Sequence, residues 1–267
     1  MAESPITPRP AATVMLLRDA ADGLEVFLIQ RASGMEFAPE ATVFPGGGVD
    51  DRDRSADIGW HGPEPAWWAL RLGVTEDLAL ALVCAAVRET FEECGVLLAG
   101  PADGSTDIVG DATAFHGARA DLVGKSLSFS EFLRRENLVL RADLLRPWAN
   151  WVTPAEGHRR RYDTHFFVAA LPEGQHADGE STEAAEAGWS TPAAAIGDFG
   201  QGRRFLLPPT WTQLDLLAGS TTVADVLAIE REIVPVRPEV IGSEGNWSVE
   251  FFDTERYDQA RRGRPLA

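Results

Sequence analysis

The stretch that decides the fold reads Arg88-Glu89-Thr90-Phe91-Glu92-Glu93-Cys94-Gly95-Val96. Glu89, Glu92 and Glu93 stand at i, i+3 and i+4, so a helix projects all three carboxylates from one face. Like charges at this spacing repel one another, and the repulsion grows where water is excluded. A cation should therefore compensate them, and Mg²⁺ suits such a site because it prefers oxygen ligands.

Signals for the two ends of this helix lie on either side of the stretch. Thr75 can cap the start, and Glu76 and Asp77 place negative charge in the first turn. Gly95 can end the helix in a left-handed conformation. The sequence between these signals contains no glycine or proline. One helix of about 19 residues is predicted.

A simpler interpretation of the three glutamates is a solvated acidic face on which Arg88 pairs with Glu92. Two features favour a functional site instead. The opposite face of the helix is apolar, which indicates that the helix packs against the rest of the domain. Upstream lies a glycine-rich turn, Phe44-Pro45-Gly46-Gly47-Gly48, whose backbone could approach a metal or a phosphate closely.

Arg88 to Val96 resembles the second half of the Nudix signature, REUXEEXGU, with Thr90 at the first aliphatic position. Phe44 to Gly47 resembles the FPGG that commonly opens that signature. The standard pattern Gx5Ex7RE places its arginine 14 positions after the glycine, whereas Arg88 follows Gly47 by 41 positions. An insertion of about 27 residues therefore separates the two halves, and Asp53 stands where the pattern has a glutamate.

The interrupted signature is similar to that of the coenzyme A diphosphatase branch of Nudix enzymes. Further similarity to that branch lies in Gln30 to Ser33, Trp151 to Pro154, Arg161 to Thr164 and Leu207 to Thr210. Other coenzyme A enzymes of the family carry the pattern R-S/A-x3-R-x3-G-x3-FPGG. Here Glu36 replaces its second arginine and Glu40 its glycine, so other nucleotide substrates stay open.

The resemblance implies hydrolysis of the diphosphate in a nucleotide-containing small molecule. The expected substrate is coenzyme A or acyl-coenzyme A, with NADH, ADP-ribose or a nucleoside triphosphate as the alternative. A Nudix-fold binding or regulatory module without turnover is a second alternative. Mg²⁺, for which Mn²⁺ could substitute, would be held by Glu89, Glu92 and Glu93, with the Gly47 carbonyl as a further ligand.

The same resemblance assigns the remaining candidate site residues. Arg88 would orient the carboxylates, and Glu93 or Glu89 would act as the general base, with Glu183 as an alternative. Candidate substrate-binding residues are Arg31, Phe44, Gly46 and Arg161. Arg161 belongs to the basic run His158 to Arg161, for which a solvated turn is the alternative interpretation.

The expected fold is a Nudix-type α/β/α sandwich, with a mixed β-sheet between helices, extra helices and an insertion at 51–75. Residues 1–11 are predicted to form a flexible tail, 12–235 the domain and 236–267 a C-terminal extension. Ala12 to Leu17 and Leu24 to Arg31 are predicted to form an antiparallel hairpin, because a turn-like segment separates two apolar runs. A helix from Pro65 to Leu72 is predicted within the insertion.

Composition excludes several classes of protein. A net charge of −17 argues against binding to nucleic acid and to anionic membranes.

Cys84 and Cys94 lie ten positions apart on one predicted helix, too far for a disulfide. A cytoplasmic protein is expected, since neither a signal sequence nor an SKL-type address is found. Homodimers are common among similar enzymes, and the sequence leaves the oligomeric state open.

Overall fold

A computed structural model describes residues 6–35, 38–54, 58–155, 160–180, 184–243 and 246–261. In chain order the elements are β1 (Arg9–Ala20), β2 (Gly23–Arg31), β3 (Thr42–Val43), β4 (Gly46–Gly48), β5 (Trp60–His61), α1 (Pro65–Leu72), α2 (Glu76–Cys94), β6 (Ala99–Pro101), α3 (His116–Val123), α4 (Phe129–Arg135), β7 (Leu138–Arg141), β8 (Leu145–Val152), β9 (Tyr162–Ala170), β10 (Ala184–Ser190), α5 (Pro192–Gln201), α6 (Pro208–Leu217), α7 (Val223–Leu227), β11 (Pro235–Val236), β12 (Glu239–Ser243), β13 (Asn246–Glu250) and α8 (Thr254–Ala260).

The main sheet is mixed, with the strand order β10-β2-β1-β9-β8-β11. β3 pairs with β2, and β4 pairs with β1, so eight strands belong to this sheet among the residues described. β1 and β2 form the predicted antiparallel hairpin, and β1 runs parallel to β9 on its other side. The pairing of β4 with β1 places the three glycines beside the first part of β1, where β4 contacts α2.

Each face of the main sheet is covered by helices. On one face, Val83, Val87 and Phe91 of α2 pack in one core with strand residues that include Ala12 and Phe167. On the other face, α5, α6, α7 and α8 contribute to a second core, which contains Met15 and Val168. The expectation of an α/β/α sandwich with a mixed sheet is therefore confirmed.

The helix that carries the glutamates has the ends that its sequence predicts. The Thr75 side chain accepts a hydrogen bond from the Leu78 amide, and Gly95 ends α2 with a φ of 72°. Cys84 and Cys94 are both buried free thiols on this helix, as expected from their spacing. Across the described ranges, no helix is long and apolar enough to cross a bilayer.

The insertion between the two signature halves is built into the domain. Its predicted helix is confirmed as α1, and Trp68 of α1 is fully buried, with its ring 5.8 Å from that of Phe167 in β9. β5 pairs with β7 in a second, three-stranded sheet in the order β5-β7-β6, which the sequence did not predict. The insertion thus packs against both sheets.

Two details differ from the sequence-based expectations. β1 begins at Arg9, within the stretch predicted to be a flexible tail, because Arg9 to Ala11 pair with β9. Gly46 to Gly48 form a short strand rather than a turn. In addition, α8 of the predicted C-terminal extension packs on the domain, since Tyr257 is buried and donates a hydrogen bond to the Leu206 carbonyl. The domain limits themselves stay a prediction.

Candidate active site

Arg88 is the centre of a hydrogen-bond network at the C-terminal half of α2. Its Nε and Nη2 donate to the two carboxylate oxygens of Asp53, at 2.9 Å each. Its Nη1 donates to Glu89 at 2.8 Å and to Glu92 at 3.1 Å. Its Nη2 also reaches the Gly48 carbonyl at 3.1 Å. Arg88 therefore orients two of the predicted metal ligands.

The glycine strand β4 meets the same face of α2. The Gly46 amide donates to the Glu93 carboxylate at 2.7 Å. At Gly47, a Cβ atom would lie 2.5 Å from the Glu89 carboxylate, closer than side chains can approach. A side chain at this position would therefore displace the Glu89 carboxylate, which occupies that space. Arg88 and β4 together hold Glu89, Glu92 and Glu93 on one face of α2.

The electrostatics of this cluster reflect its burial. Loss of water raises the pKa of Glu89 to about 7, with Arg88 opposing the shift and Glu92 adding to it. Burial also raises the pKa of Glu92. The carboxylates nevertheless keep side-chain exposures of 14% and 15%, so a small ligand can still reach them from solvent.

The predicted substrate-binding residues lie in different parts of the structure. Arg31 follows Phe27 and Ile29 in the alternation of β2, which directs it to the face covered by α2. The Gly46 amide is already engaged by Glu93. Phe44 was expected to contact substrate, but it is 2% exposed and packs edge-to-face on Phe166 in the core on the opposite face. That expectation is corrected: Phe44 is a core residue.

Arg161 lies just before β9, and its side chain binds backbone. Its Nε donates to the Thr153 carbonyl at 3.0 Å and its Nη1 to the Ile6 carbonyl at 2.6 Å. These bonds join the β8–β9 connection to the start of the chain. The alternative base Glu183 lies outside the described residues, as do Glu36, His158 and Arg159.

Asp53 is the residue of this network to which the sequence alone gave no role in the site. It is 2% exposed, and it also accepts hydrogen bonds from the Asp50 amide at 2.8 Å and, more weakly, from the Cys84 thiol at 3.6 Å. The signal was its position, six residues after Gly47, where the Nudix pattern has a glutamate. A shorter acidic side chain there still reaches Arg88.

The fold and this carboxylate cluster are those of a Nudix domain, and comparison with known proteins gives the same family. The model of the NUDT19 Nudix domain matches residues 69–217, more than half of the chain, so the chain belongs to the Nudix family. It resembles the coenzyme A diphosphatase branch: it is 29% identical to the acyl-coenzyme A diphosphatase NUDT19 of Gallus gallus over 76% of this chain and 63% of that protein.

Two further similar proteins are also Nudix proteins. The human acyl-coenzyme A diphosphatase NUDT19 is 29% identical over 77% of this chain and 64% of its own length. A crystal structure of a Nudix hydrolase from Alicyclobacillus acidocaldarius is 25% identical, with a TM-score of 0.69 over 85% of this chain and 98% of that one. The chain thus spans less than two thirds of the length of the curated relatives that it matches.

Nudix hydrolases generally use divalent metal ions, and the donors here suit such an ion. Glu89, Glu92 and Glu93 offer carboxylate oxygens, and the glycine strand offers carbonyls; hard cations prefer such ligands. Within the described ranges, no three His, Cys, Asp or Glu side chains converge closely enough to hold a metal as they stand. Arg88 and the Gly46 amide occupy the carboxylates instead, so the metal-ligand assignment stays a prediction.

Proposed function

We propose that this chain is a Mg²⁺-dependent Nudix hydrolase that cleaves the diphosphate of coenzyme A or acyl-coenzyme A to 3',5'-ADP and (acyl-)phosphopantetheine. The positions of Glu89 and Glu92 around Arg88, and of Glu93 against the glycine strand, carry this proposal. The substrate class rests on similarity to the acyl-coenzyme A diphosphatases over about three quarters of the chain.

In the proposed reaction the oxygen of a water attacks one phosphorus, and the bond from that phosphorus to the bridging oxygen breaks. A bound divalent ion would supply charge neutralisation on the phosphate oxygens and a lower pKa for the attacking water. Glu89, Glu92 and Glu93 would hold that ion. Arg88, itself held by Asp53, keeps the Glu89 and Glu92 carboxylates in place before substrate arrives, which lowers the reorganisation needed during the reaction.

The general base is proposed to be Glu93 or Glu89, with Glu183 as the alternative. Glu89 is oriented by Arg88 at 2.8 Å, which restricts where its carboxylate can accept a proton. Glu93 is oriented by the Gly46 amide at 2.7 Å, which restricts where its carboxylate can accept a proton. Turnover of Glu183→Gln against Glu93→Gln and Glu89→Gln would separate the candidates.

The substrate branch is supported by the backbone at Glu40. This residue stands where the coenzyme A pattern has glycine, and its φ is 61°, in the left-handed region that glycine favours. Glu40 therefore adopts a backbone conformation that glycine would favour at this position, although the side chain differs. A pyrophosphatase for NADH, ADP-ribose or a nucleoside triphosphate is the second candidate function, because Glu36 reverses the charge of the pattern's second arginine.

The test is product analysis after incubation of the protein and Mg²⁺ with coenzyme A, acetyl-coenzyme A, NADH, ADP-ribose and a nucleoside triphosphate. Preferential release of 3',5'-ADP from coenzyme A supports the proposal. Preference for another compound would reassign the substrate but keep the metal chemistry. Binding of these compounds without cleavage would favour the regulatory module.

Point variants connect the activity to the cluster. Glu92→Gln and Glu93→Gln should abolish Mg²⁺-dependent turnover and leave the fold intact, as judged by circular dichroism. Glu76→Gln is the matched control, because Glu76 begins the same helix and lies about 24 Å from Glu92 at 1.5 Å per residue. Normal turnover in the Glu92 and Glu93 variants would refute the assignment of the metal site.

A further inference from the structure

A partly buried ion pair joins α3 to the loop that follows β9, at the C-terminal end of α2. Arg119 donates to the two carboxylate oxygens of Asp178 through Nη1 and Nη2, each at 2.8 Å. The Arg119 side chain is only 7% exposed, and that of Asp178 is 38% exposed. The Nε of Arg119 donates to the Glu92 carbonyl at 3.0 Å. The pair thus contacts the main chain of a predicted metal ligand and none of its carboxylate oxygens.

The end of α2 needs these contacts. The last carbonyls of a helix have no partner within the helix, and the helix dipole places partial negative charge there. α2 has no basic residue in its own last turn. Arg119 supplies that positive charge from another helix, and the Asp178 amide donates to the Cys94 carbonyl at 3.0 Å. The last turn of α2, which carries Glu92 and Glu93, is therefore fixed from outside the helix.

Gly95 permits the close approach of the pair. A Cβ atom at this position would lie 2.7 Å from an Asp178 carboxylate oxygen and 2.9 Å from the Nη1 of Arg119. The φ of 72° also favours glycine at this point. Glycine at the helix end therefore serves the backbone turn and, in addition, leaves room for the ion pair.

The loop that carries Asp178 is fixed at a second point. Gln175 is 3% exposed, and its side-chain amide accepts from the Leu97 amide at 2.8 Å and donates to the Leu97 carbonyl at 2.9 Å. These bonds mimic the pairing of two strands. Because Leu97 follows α2 closely in the chain, the loop and the helix end are held as one unit.

We propose that Arg119 and Asp178 are positioning residues for the metal site, because they fix the turn of α2 from which Glu92 and Glu93 project. Groups that orient metal ligands commonly change metal affinity 10- to 100-fold when they are replaced. This inference rests on the proposed function only in assuming that these glutamates bind a divalent cation. It does not depend on which diphosphate is cleaved.

The chain offers a matched control pair. Arg141 and Asp143 form a second partly buried pair with two hydrogen bonds, at 2.8 Å and 2.7 Å, and with side-chain exposures of 5% and 30%. Arg141 also donates to the backbone carbonyls of Thr106 and Asp107. The two pairs are alike in burial and geometry. Only the Arg119 pair bonds to the main chain of α2.

The experiment measures Mn²⁺ binding by electron paramagnetic resonance on the whole chain without substrate, together with urea unfolding. Asp178→Asn should weaken Mn²⁺ binding about tenfold. Asp143→Asn should lower the unfolding midpoint comparably and change Mn²⁺ affinity less than twofold. Should Asp178→Asn fail to fold, Arg119→Lys tests the same point, because lysine keeps the charge and loses the two-nitrogen geometry.

Equal Mn²⁺ affinity in Asp178→Asn and the unmodified chain would overturn the inference, and so would an equal loss in Asp143→Asn. The outcome is separable from that of the proposed function. A chain that binds Mn²⁺ but leaves coenzyme A intact still tests the pair through metal affinity. A chain that binds no Mn²⁺ overturns the metal site and this inference together.

Discussion

The guanidinium of Arg88 and the carboxylate of Asp53 form two parallel hydrogen bonds of 2.9 Å, although the residues lie 35 positions apart. Asp53 belongs to the insertion, whereas Arg88 belongs to the second half of the Nudix signature. The same guanidinium contacts Glu89, Glu92 and the Gly48 carbonyl. One buried arginine therefore joins the insertion, the glycine strand and the carboxylates.

Replacing Asp53 should disturb both stability and activity. In Asp53→Asn the buried Arg88 loses the charged partner that accepts two of its hydrogen bonds, and we expect the free energy of unfolding to fall by about 2 kcal/mol, since Glu89 and Glu92 still compensate the charge. Turnover should also fall, because Arg88 would then be held by the Gly48 carbonyl and by the carboxylates it orients. Asp53→Glu should retain more of both properties. Urea unfolding and initial rates check this, with Glu25→Gln in the partly exposed Arg18–Glu25 pair as the control.

Unchanged stability in Asp53→Asn would contradict the role given to this pair. A loss in Glu25→Gln as large as that in Asp53→Asn would also count against it. Partly exposed ion pairs contribute at most about 1 kcal/mol, so the two variants should be clearly separated.

The glycine strand provides a second prediction. Gly47→Ala places a methyl group 2.5 Å from the Glu89 carboxylate, which has to move. Since that carboxylate ends a flexible side chain, we expect little loss of stability but a fall in turnover of at least tenfold. Gly48→Ala is the control, because no atom lies within 4 Å of the added Cβ. Steady-state rates with equal turnover in both variants would show that the exact place of Glu89 is unimportant.

Glu40 provides a prediction about stability. Its φ of 61° crowds the Cβ atom, which raises the energy of residues other than glycine. Glu40→Gly should therefore raise the free energy of unfolding by roughly 0.5–1 kcal/mol, after allowance for the added freedom of glycine in the unfolded chain. Asn137→Gly, at a φ of 56°, should gain less because asparagine tolerates this region. A destabilised Glu40→Gly variant in urea unfolding would contradict the expectation.

The pH dependence of stability should contain a contribution from His165. Burial lowers its pKa, while Asp163, 3.8 Å away, opposes the shift. The Asn150 amide, also on this face, donates to Asp163. Because the folded state disfavours the charged imidazole, the unfolded chain binds a proton more readily. This contribution is therefore full above pH 6.5 and is lost as the pH falls through the folded pKa.

Urea unfolding at pH 7.5 and pH 5.5 measures this contribution. The unmodified chain should lose more stability on acidification than His165→Gln, by up to about 1.4 kcal/mol per pH unit. His116→Gln is the control, since the His116 side chain is 69% exposed. Identical acid sensitivity of the unmodified chain and the His165 variant would contradict the prediction.

Local signals in the sequence predicted the helices whose ends are set by residues next to them in the chain. The bounds of α2 follow from Thr75 and Gly95, and those of α1 from Pro65 and Gly73. Pairing between distant strands has no such signal, so the three-stranded sheet was missed. The β4 strand was taken for a turn, because three glycines rarely indicate a strand.

The site residues also divide into those with a local signal in the sequence and those brought together from distant segments. The three glutamates could be grouped because they share one helix face. Phe44 was misassigned because its neighbours in the second core come from other parts of the chain. Arg119 and Asp178 lie 59 positions apart, and nothing in either segment indicates that they meet.

The burial of Trp68 limits how the spacing between the two halves of the signature can change. A version of this chain with the standard spacing would lose the ring that packs beside Phe167 and leave a void in the core, which typically costs 3–5 kcal/mol for a tryptophan. It would also leave β7 without its partner β5. The length of this segment is therefore governed by the volume that it fills, so any shortened version has to supply another large side chain at the same place.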